Sequence, residues 1–344
     1  MASTSTFRVG LSRDLSDGNG GFSWGNIEIE NLQPLSWDFL VQLQAEFTPE
    51  SLAGFNAVAF AGPSVTSSSL PPAQESPLVL SRFGVGYDNI DLDACTAAGT
   101  ALTITPDGSK KPVATAALML TLSTMHRLVA KDSLARAHGW GRRLDGLGQG
   151  LNGKTVATIG LGNIATEFFR LISPFDVRMI AYDPWKTKEE AKAFGVELLD
   201  LATVMSQADV VVVMALLTPE SHHLIGAEQI ALMKSNAVLI NISRGPIVDE
   251  KALTQALTNR AIFGAGLDVF ETEPPAKDNP LLSLDNVIVT PHNIAWTDEL
   301  ARGMGRSAFK AITDISKGNI PEFVVNKAVL TTPAFKEKLA KWQQ

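Results

Sequence analysis

Residues 156–172 read VATIGLGNIATEFFRLI, and a second apolar run ending in an acid, RMIAYD, follows at 178–183. The first run has the composition of a buried strand and passes through Gly160, Leu161 and Gly162 directly into a helical pattern. In a dinucleotide fold the first glycine (Gly160) makes the turn, the second (Gly162) lets backbone approach a pyrophosphate, and a third small residue (Ala165) lets helix and strand pack closely. Asn163 and Ile164 then open the helix whose N-terminus receives the anion. Asp183 stands 23 residues after Gly160, at the end of the next strand. A carboxylate there bonds the hydroxyls of an adenine ribose and repels a 2′-phosphate, which favours NAD over NADP. The rival reading of Asp183 is a cap ahead of Pro184.

Downstream, three apolar runs each end in a residue with chemistry. AVLINISRGPIVDE (237–250) delivers Arg244, AGLDVFETEPP (265–275) delivers Glu273, and NVIVTPHNIAW (286–296) delivers His292. An arginine holds a carboxylate through two parallel N–H bonds. A histidine passes a proton near neutral pH, and a glutamate beside it holds its tautomer and favours its cation. That is equipment for interconverting an α-keto acid and an α-hydroxy acid. Each residue alone has a structural explanation, as a surface salt bridge, a loop carboxylate or a core histidine. Three at strand ends of one dinucleotide fold, where open α/β sheets bind ligands, favour the catalytic one.

With 344 residues, 45% apolar and 19% charged, the chain is long enough for two cores and has globular rather than disordered composition. Its net charge is −7 and no basic block is longer than Lys110-Lys111, so the electrostatic footprint of a nucleic-acid partner is missing. One cysteine, Cys95, precludes an internal disulfide, and the N-terminus MASTSTFRVG lacks the apolar core of a secretory signal. These predict a reducing, cytoplasmic setting. The longest apolar stretches, such as ADVVVVMALL, suit buried strands rather than membrane spans. No metal-ligand cluster is expected. His126, His138, His222 and His223 lack a catalytic context, and Cys95, in the helical stretch DLDACTAAG, is expected to be buried rather than reactive.

Before the glycine motif, Phe7–Leu11 reads as a first strand, followed by a Gly/Asn/Asp-rich surface loop over 12–26, either functional or a plain insertion. A helix is expected over Trp37–Phe47, then strands in AVAFAG, PLVLSRFG and TALTITP. Pro106-Asp107-Gly108 is expected to be a hinge turn, ahead of a long helix from Pro112 to Arg136. From Lys154 to about Pro291 strands and helices alternate, enough for a six- or seven-stranded parallel sheet. The final helix, about Thr297 to Lys317, follows this sheet and is expected to cross back to the first domain.

Taken together, FGVGYDNIDL, GKTVATIGLGNI, AYDP, ALMKSNAVLINISRGPIVDEKAL, GAGLDVFETEPP and TPHNIAWT resemble the D-isomer-specific 2-hydroxyacid dehydrogenase family over nearly the whole chain. The resemblance implies an α/β protein of two doubly wound parallel-sheet domains. A Rossmann-type NAD domain (107–298) is inserted into a smaller flavodoxin-like substrate domain (1–106 and 299–344), with the active site in the cleft. It assigns the substrate carboxylate to Arg244 and to the Gly84-Val85-Gly86 loop, and the acid/base pair to Glu273 and His292. Nicotinamide-side contacts fall on Leu217, Thr218 and Pro219, on Ile242, Ser243 and Arg244, and on Asp268 and His292. It also implies a homodimer joined through the helix from Pro112 and the loop around Trp140, consistent with the apolar run ALMLTLSTMHRL.

Some positions depart from the family pattern. Thr115 and Ala116 replace a glutamate and a histidine at the start of the hinge helix, which bears on packing or dimer contacts. Trp296 stands where small residues are usual, either walling the substrate pocket or filling core. Arg82, beside the carboxylate loop, either greets a second anionic group or pairs with a local carboxylate. The chain ends soon after the last helix, so no effector domain is expected. Formate dehydrogenase resembles the same fold but pairs its histidine with glutamine, and Glu273 argues against it. An NAD-sensing binding module of the C-terminal binding protein corepressor type keeps the triad but carries long tails and localises to the nucleus.

Overall fold

Two runs of short apolar strands become two separate parallel sheets in the computed structural model, which describes residues 6–343. The chain divides into one unit of Met1–Ser109 with Trp296–Gln344 and a second of Lys110–Ala295.

The first unit contains β1 (Arg8–Leu11), β2 (Ser36–Phe39), β3 (Ala57–Phe60), β4 (Val79–Arg82) and β5 (Ala101–Thr103) in the order β2-β1-β3-β4-β5. All pairings are parallel, and the order is that of flavodoxin. Central β3, AVAF, is buried at every residue, as a strand covered on both faces must be. The helix expected over Trp37–Phe47 is absent. Residues 36–39 instead form edge strand β2, whose Trp37 and Phe39 alternate with Ser36 and Asp38 and pack around Phe22. Helical spacing misled because Val41 and Leu43, which would complete the apolar face, are 88% and 70% exposed. Pairing with β1 gives this segment a backbone partner that an unburied helix face does not.

The 12–26 loop is fastened to its unit. Asp14 accepts from the N–H groups of Ala61 and Gly62 at 3.1 and 2.6 Å, and Leu15 is fully buried. Just beyond it, Glu28 accepts two bonds from Arg306, at 2.9 and 2.6 Å, and Ile27 lies where only the bare Gly305 fits. Trp24 packs on Trp296 with ring centroids 4.3 Å apart. Trp296 remains 58% exposed, so it does not fill core. The final helix, Asp298–Ser316, is capped by Thr297 and belongs to this unit. Helix Leu92–Ala97 buries Cys95 completely, and burial, aided by the Asp91 charge, pushes its thiol up to about 12.

An unanticipated feature is Lys338, on helix Pro333–Ala340 and only 5% exposed. Its Nζ donates to the carbonyls of Ser76, Pro77 and Ala98 at 3.1, 3.3 and 2.9 Å. Burial, with a smaller contribution from Lys341, pushes the amine down to about 7. Three carbonyl oxygens saturate the three donors of an ammonium, which is how a lysine is tolerated without a carboxylate.

The hinge turn expected at Pro106-Asp107-Gly108 is the first turn of a helix, Pro106–Met125, which crosses the unit boundary after Ser109. Proline suits a first helical position because its fixed φ is helical and its missing N–H is not needed there. Pro112 lies inside this helix rather than at its start. The helix also stops short of Arg136. Arg127 takes a left-handed φ of 53°, and a second helix, Leu128–Arg136, follows at a bend of 58°. Gln149 N–H donates to the Met125 carbonyl at 2.8 Å, so loop backbone satisfies an acceptor that a continued helix would have used. No single helix among the described residues is long and apolar enough to cross a membrane.

The second unit contains β6 (Thr155–Ile159), β7 (Arg178–Tyr182), β8 (Glu197–Leu198), β9 (Val210–Val213), β10 (Val238–Asn241), β11 (Gly264–Leu267) and β12 (Val287–Val289). They form one seven-stranded parallel sheet, β12-β11-β10-β9-β6-β7-β8. This is the dinucleotide-binding order with one extra strand, and it reverses direction between β6 and β9. β9 is VVVV with every residue fully buried, because apolar clusters cover both faces of the sheet.

Candidate active site

β6 runs into the glycine turn as its sequence implies. Gly160 has φ 94°, and a Cβ there would stand 2.8 Å from the Ala215 nitrogen and 2.9 Å from the Met214 oxygen, so only glycine fits. Gly162 precedes helix Asn163–Ile172, and no heavy atom lies within 4 Å of where its Cβ would be. The side facing the helix N-terminus is thus open where a pyrophosphate would lie. Ala165 is buried and Ile164 packs partly against the core. Asp183 accepts from Leu161 N–H at 2.7 Å through Oδ2 and from Trp185 N–H at 2.9 Å through Oδ1. It does cap the Pro184 turn, yet it also ties to the glycine loop, and each oxygen keeps a lone pair for a ribose hydroxyl. The backbone and the acid therefore fit a dinucleotide.

The ends of β10, β11 and β12 bring the three chemical residues into one region of this unit. His292, three residues beyond the Val289 that ends β12, has φ 53° and aims Nδ1 at Glu273 Oε2, 2.7 Å away. The other Glu273 oxygen accepts from Phe270 N–H at 3.1 Å. Because Nδ1 faces a carboxylate, Nδ1 carries a proton and Nε2 is left to exchange one. The pair borders a cavity of about 480 Å³ whose wall includes Phe270, Pro274, Pro275 and Val289. Burial works to raise the Glu273 carboxyl, but the His292 hydrogen bond, the Phe270 N–H and the charges of His292 and Arg244 outweigh it. The carboxyl stays below the usual carboxylate range.

Residues 118–293, half of the chain, match the family profile for the D-isomer specific 2-hydroxyacid dehydrogenase, NAD binding domain. A glyoxylate reductase from Thermococcus litoralis is 37% identical over 260 residues, covering 74% of this chain and 78% of that protein. The chain belongs to the D-isomer specific 2-hydroxyacid dehydrogenase family. NAD is the cofactor of its nucleotide-binding domain. A D-3-phosphoglycerate dehydrogenase from Methanocaldococcus jannaschii is 41% identical over 267 residues, 77% of this chain, but the chain spans only half of that relative's length. Among solved structures, a D-lactate dehydrogenase from Aquifex aeolicus complexed with NAD and lactic acid superposes with TM-score 0.75 at 26% identity, covering 90% of this chain and 96% of that one.

Within this family member, residues that no motif singled out hold the chemical ones. Asn241, 1% exposed, receives Ser243 N–H at 3.1 Å and donates to the Arg244 carbonyl at 2.9 Å, clamping the backbone on either side of the arginine. Ser243 Oγ donates to the Ala215 carbonyl, and the Arg244 guanidinium donates to the Ser243 carbonyl at 2.8 Å. Gly245 lies so close to the Phe270–Glu271 peptide that a Cβ would fall 1.9 Å from Phe270 C. After β9, Ser221 Oγ accepts from Thr218 N–H at 2.8 Å and donates to the Leu216 carbonyl at 2.7 Å, shaping the Leu217-Thr218-Pro219 turn. Ile242 packs partly against the core.

Asp268, expected as a nicotinamide-side contact, ties down the histidine loop. Its Oδ1 accepts from Thr290 Oγ1 at 2.6 Å and from the N–H groups of Asn293 and Ile294 at 3.0 and 3.1 Å, and its carbonyl accepts from His292 N–H at 2.8 Å. Burial raises its carboxyl above the ordinary value, and these bonds and the His292 charge offset that only in part.

In the first unit, Gly84 takes φ 130°, donates its N–H to Thr105 Oγ1 at 2.9 Å and accepts at its carbonyl from Thr105 N–H at 3.0 Å. Val85 and Gly86 are half-buried beside it. Arg82 stacks its guanidinium over Phe60 at 5.7 Å. His126 and His138 are exposed. His223 is exposed as well, and its Nε2 lies 2.6 Å from Glu271 Oε1. Among the described residues no His, Cys, Asp and Glu group is arranged to hold a metal ion.

Proposed function

We propose that the protein is an NAD-dependent oxidoreductase interconverting a small 2-keto acid and the corresponding D-2-hydroxy acid. The second unit serves as the nucleotide-binding part and the unit built from both chain ends as the substrate-binding part. The observation that carries the reading is the 2.7 Å His292–Glu273 pair at the strand ends of an NAD-binding sheet. Arg244, held by Asn241, presents a guanidinium fork for the substrate carboxylate. The assignment of Gly84, Val85 and Gly86 to the same carboxylate rests on the family resemblance. The bound nicotinamide supplies or accepts the hydride. In the reductive direction His292 donates the proton from Nε2 to the forming alkoxide, while Glu273 steadies the imidazolium through Nδ1. Glu273 also separates this protein from the formate dehydrogenase pattern.

The test is turnover of NADH with glyoxylate, hydroxypyruvate and bulkier 2-keto acids. Reduction of at least one is expected; NADH binding without turnover of any would favour a nucleotide-sensing module instead. The same assay with NADPH is expected to give a far lower kcat/KM, because a 2′-phosphate would meet the Asp183 carboxylate and like charges in contact cost several kcal/mol. Equal efficiency with both cofactors would remove Asp183 from the ribose site.

A homodimer joined through the second unit belongs to this reading. In its support, Met119, Leu128, Val129, Trp140, Leu144 and Leu147 are between 50% and 81% exposed within one stretch of chain. Sedimentation at micromolar concentration is expected to give twice the chain mass; a monomer would refute it. The single buried Cys95 supports a cytoplasmic setting, and the absence of a basic block supports a protein without nucleic-acid partners.

A further inference from the structure

We infer that His223 is a positioning residue for the acid/base pair, fastening the segment that carries Arg244 to the loop that carries Glu273. This rests on the function proposed above. His223 reaches both segments at once. Its backbone N–H donates to the Pro246 carbonyl at 2.8 Å, two residues past Arg244. Its ring Nε2 meets Glu271 Oε1 at 2.6 Å, two residues before Glu273.

Glu271 is itself fixed from two sides. The oxygen that meets His223 also accepts from Glu250 N–H at 3.0 Å, at the start of helix Glu250–Thr258. Glu271 N–H donates to Glu250 Oε2 at 2.9 Å, and Glu250 Oε1 accepts from Asn279 Nδ2 at 2.7 Å. The neighbouring amide is Phe270 N–H, the donor that orients Glu273. Gly245 abuts the Phe270–Glu271 peptide, so a shift at Glu271 is transmitted toward Arg244 as well as Glu273. The ring of His223 is therefore the side-chain end of a network whose other end is the catalytic carboxylate.

The backbone of His223 points the same way. It holds φ 51°, a left-handed conformation that glycine adopts without strain and histidine does not. Strain of this kind persists where surrounding contacts over-determine it, and the ring contact with Glu271 is what a glycine here would lack. His222 stacks on His223 with ring centroids 4.1 Å apart, which further limits the ring's freedom.

Two substitutions separate positioning from mere packing. His223→Gly relieves the backbone and deletes the ring, so the fold is expected to survive. His223→Gln keeps an amide nitrogen near the place of Nε2. In His223→Gly, kcat for keto-acid reduction is expected to fall about tenfold or more, the cost of slightly misplaced catalytic groups. The KM for NADH should change little, and the alkaline limb of the reductive pH profile should move to lower pH as Glu273 seats less well against His292. His223→Gln should recover most of the loss. Amide hydrogen exchange supplies a readout independent of turnover: protection at Phe270 and Glu271 should drop in His223→Gly and return in His223→Gln. Wild-type protein that turns over no keto acid would overturn the proposed function, and the exchange data would still judge the clasp. A folded His223→Gly variant with unchanged kcat, pH limb and amide protection would overturn the clasp alone.

Discussion

Arg244→Lys is expected to lower kcat/KM for the keto acid by between about 30-fold and several thousandfold, with the fold intact. Lysine keeps the charge but replaces a planar fork with a point donor, so the carboxylate loses orientation as well as affinity. Losing one partner of a charge-assisted pair in a desolvated site costs roughly 2 to 5 kcal/mol, which sets that range. The fold should survive because Asn241, not the guanidinium, clamps the backbone here through Ser243 N–H and the Arg244 carbonyl. The measurement is steady-state kinetics beside a thermal melt. A variant that melts like wild type and also turns over like wild type would place the carboxylate site elsewhere.

The second large effect belongs to the proton. His292→Ala should cost about 10² to 10⁴ in reductive kcat, the usual contribution of a positioned acid, while NADH binding stays nearly intact. Reduction consumes a proton and needs the imidazole charged; oxidation needs it neutral. The reductive rate should therefore fall, and the oxidative rate rise, as the pH is raised. Glu273→Gln keeps shape and a hydrogen bond but removes the negative charge, so the limb should move to lower pH in both directions. On the acid side, the Glu273 carboxyl lies below its ordinary value, so the ion pair persists as pH falls through the usual carboxylate range and is lost only below it. A limb that stays in place in Glu273→Gln would dissolve the pairing.

Much of this was legible before any coordinates, and the reasons are local. A strand that must enter a glycine turn and leave it as a helix is dictated by backbone sterics within a few residues, which is why Gly160, Gly162 and Asp183 fall where the motif puts them. Four consecutive valines can be stable only between two covered faces, and β9 is such a strand. Strand-end placement also brought Arg244, Glu273 and His292 into one region, since parallel strands all deliver their C-terminal ends to the same edge of a sheet.

The failures are of another kind. Trp37–Phe47 had helical spacing, but β1 offered pairing that an unburied helix face could not match. The long helix had no visible reason to break at Arg127, because the loop that satisfies its Met125 carbonyl returns from Gln149. Lys338 is an unremarkable lysine in the sequence, and only the convergence of Ser76, Pro77 and Ala98 on its amine makes a buried site for it. Asn241 and His223 carry no chemical signature of their own in the sequence, and the bonds of Asp268 to the histidine loop are invisible there. The sequence by itself determined the two sheets and the nucleotide turn, and it placed Arg244, Glu273 and His292 at strand ends, because propensity, periodicity and strand-end geometry act over short spans. The tertiary structure alone decided which polar side chains hold those residues in place, because a buried hydrogen bond is specified by whichever distant backbone group folding brings within about 3 Å.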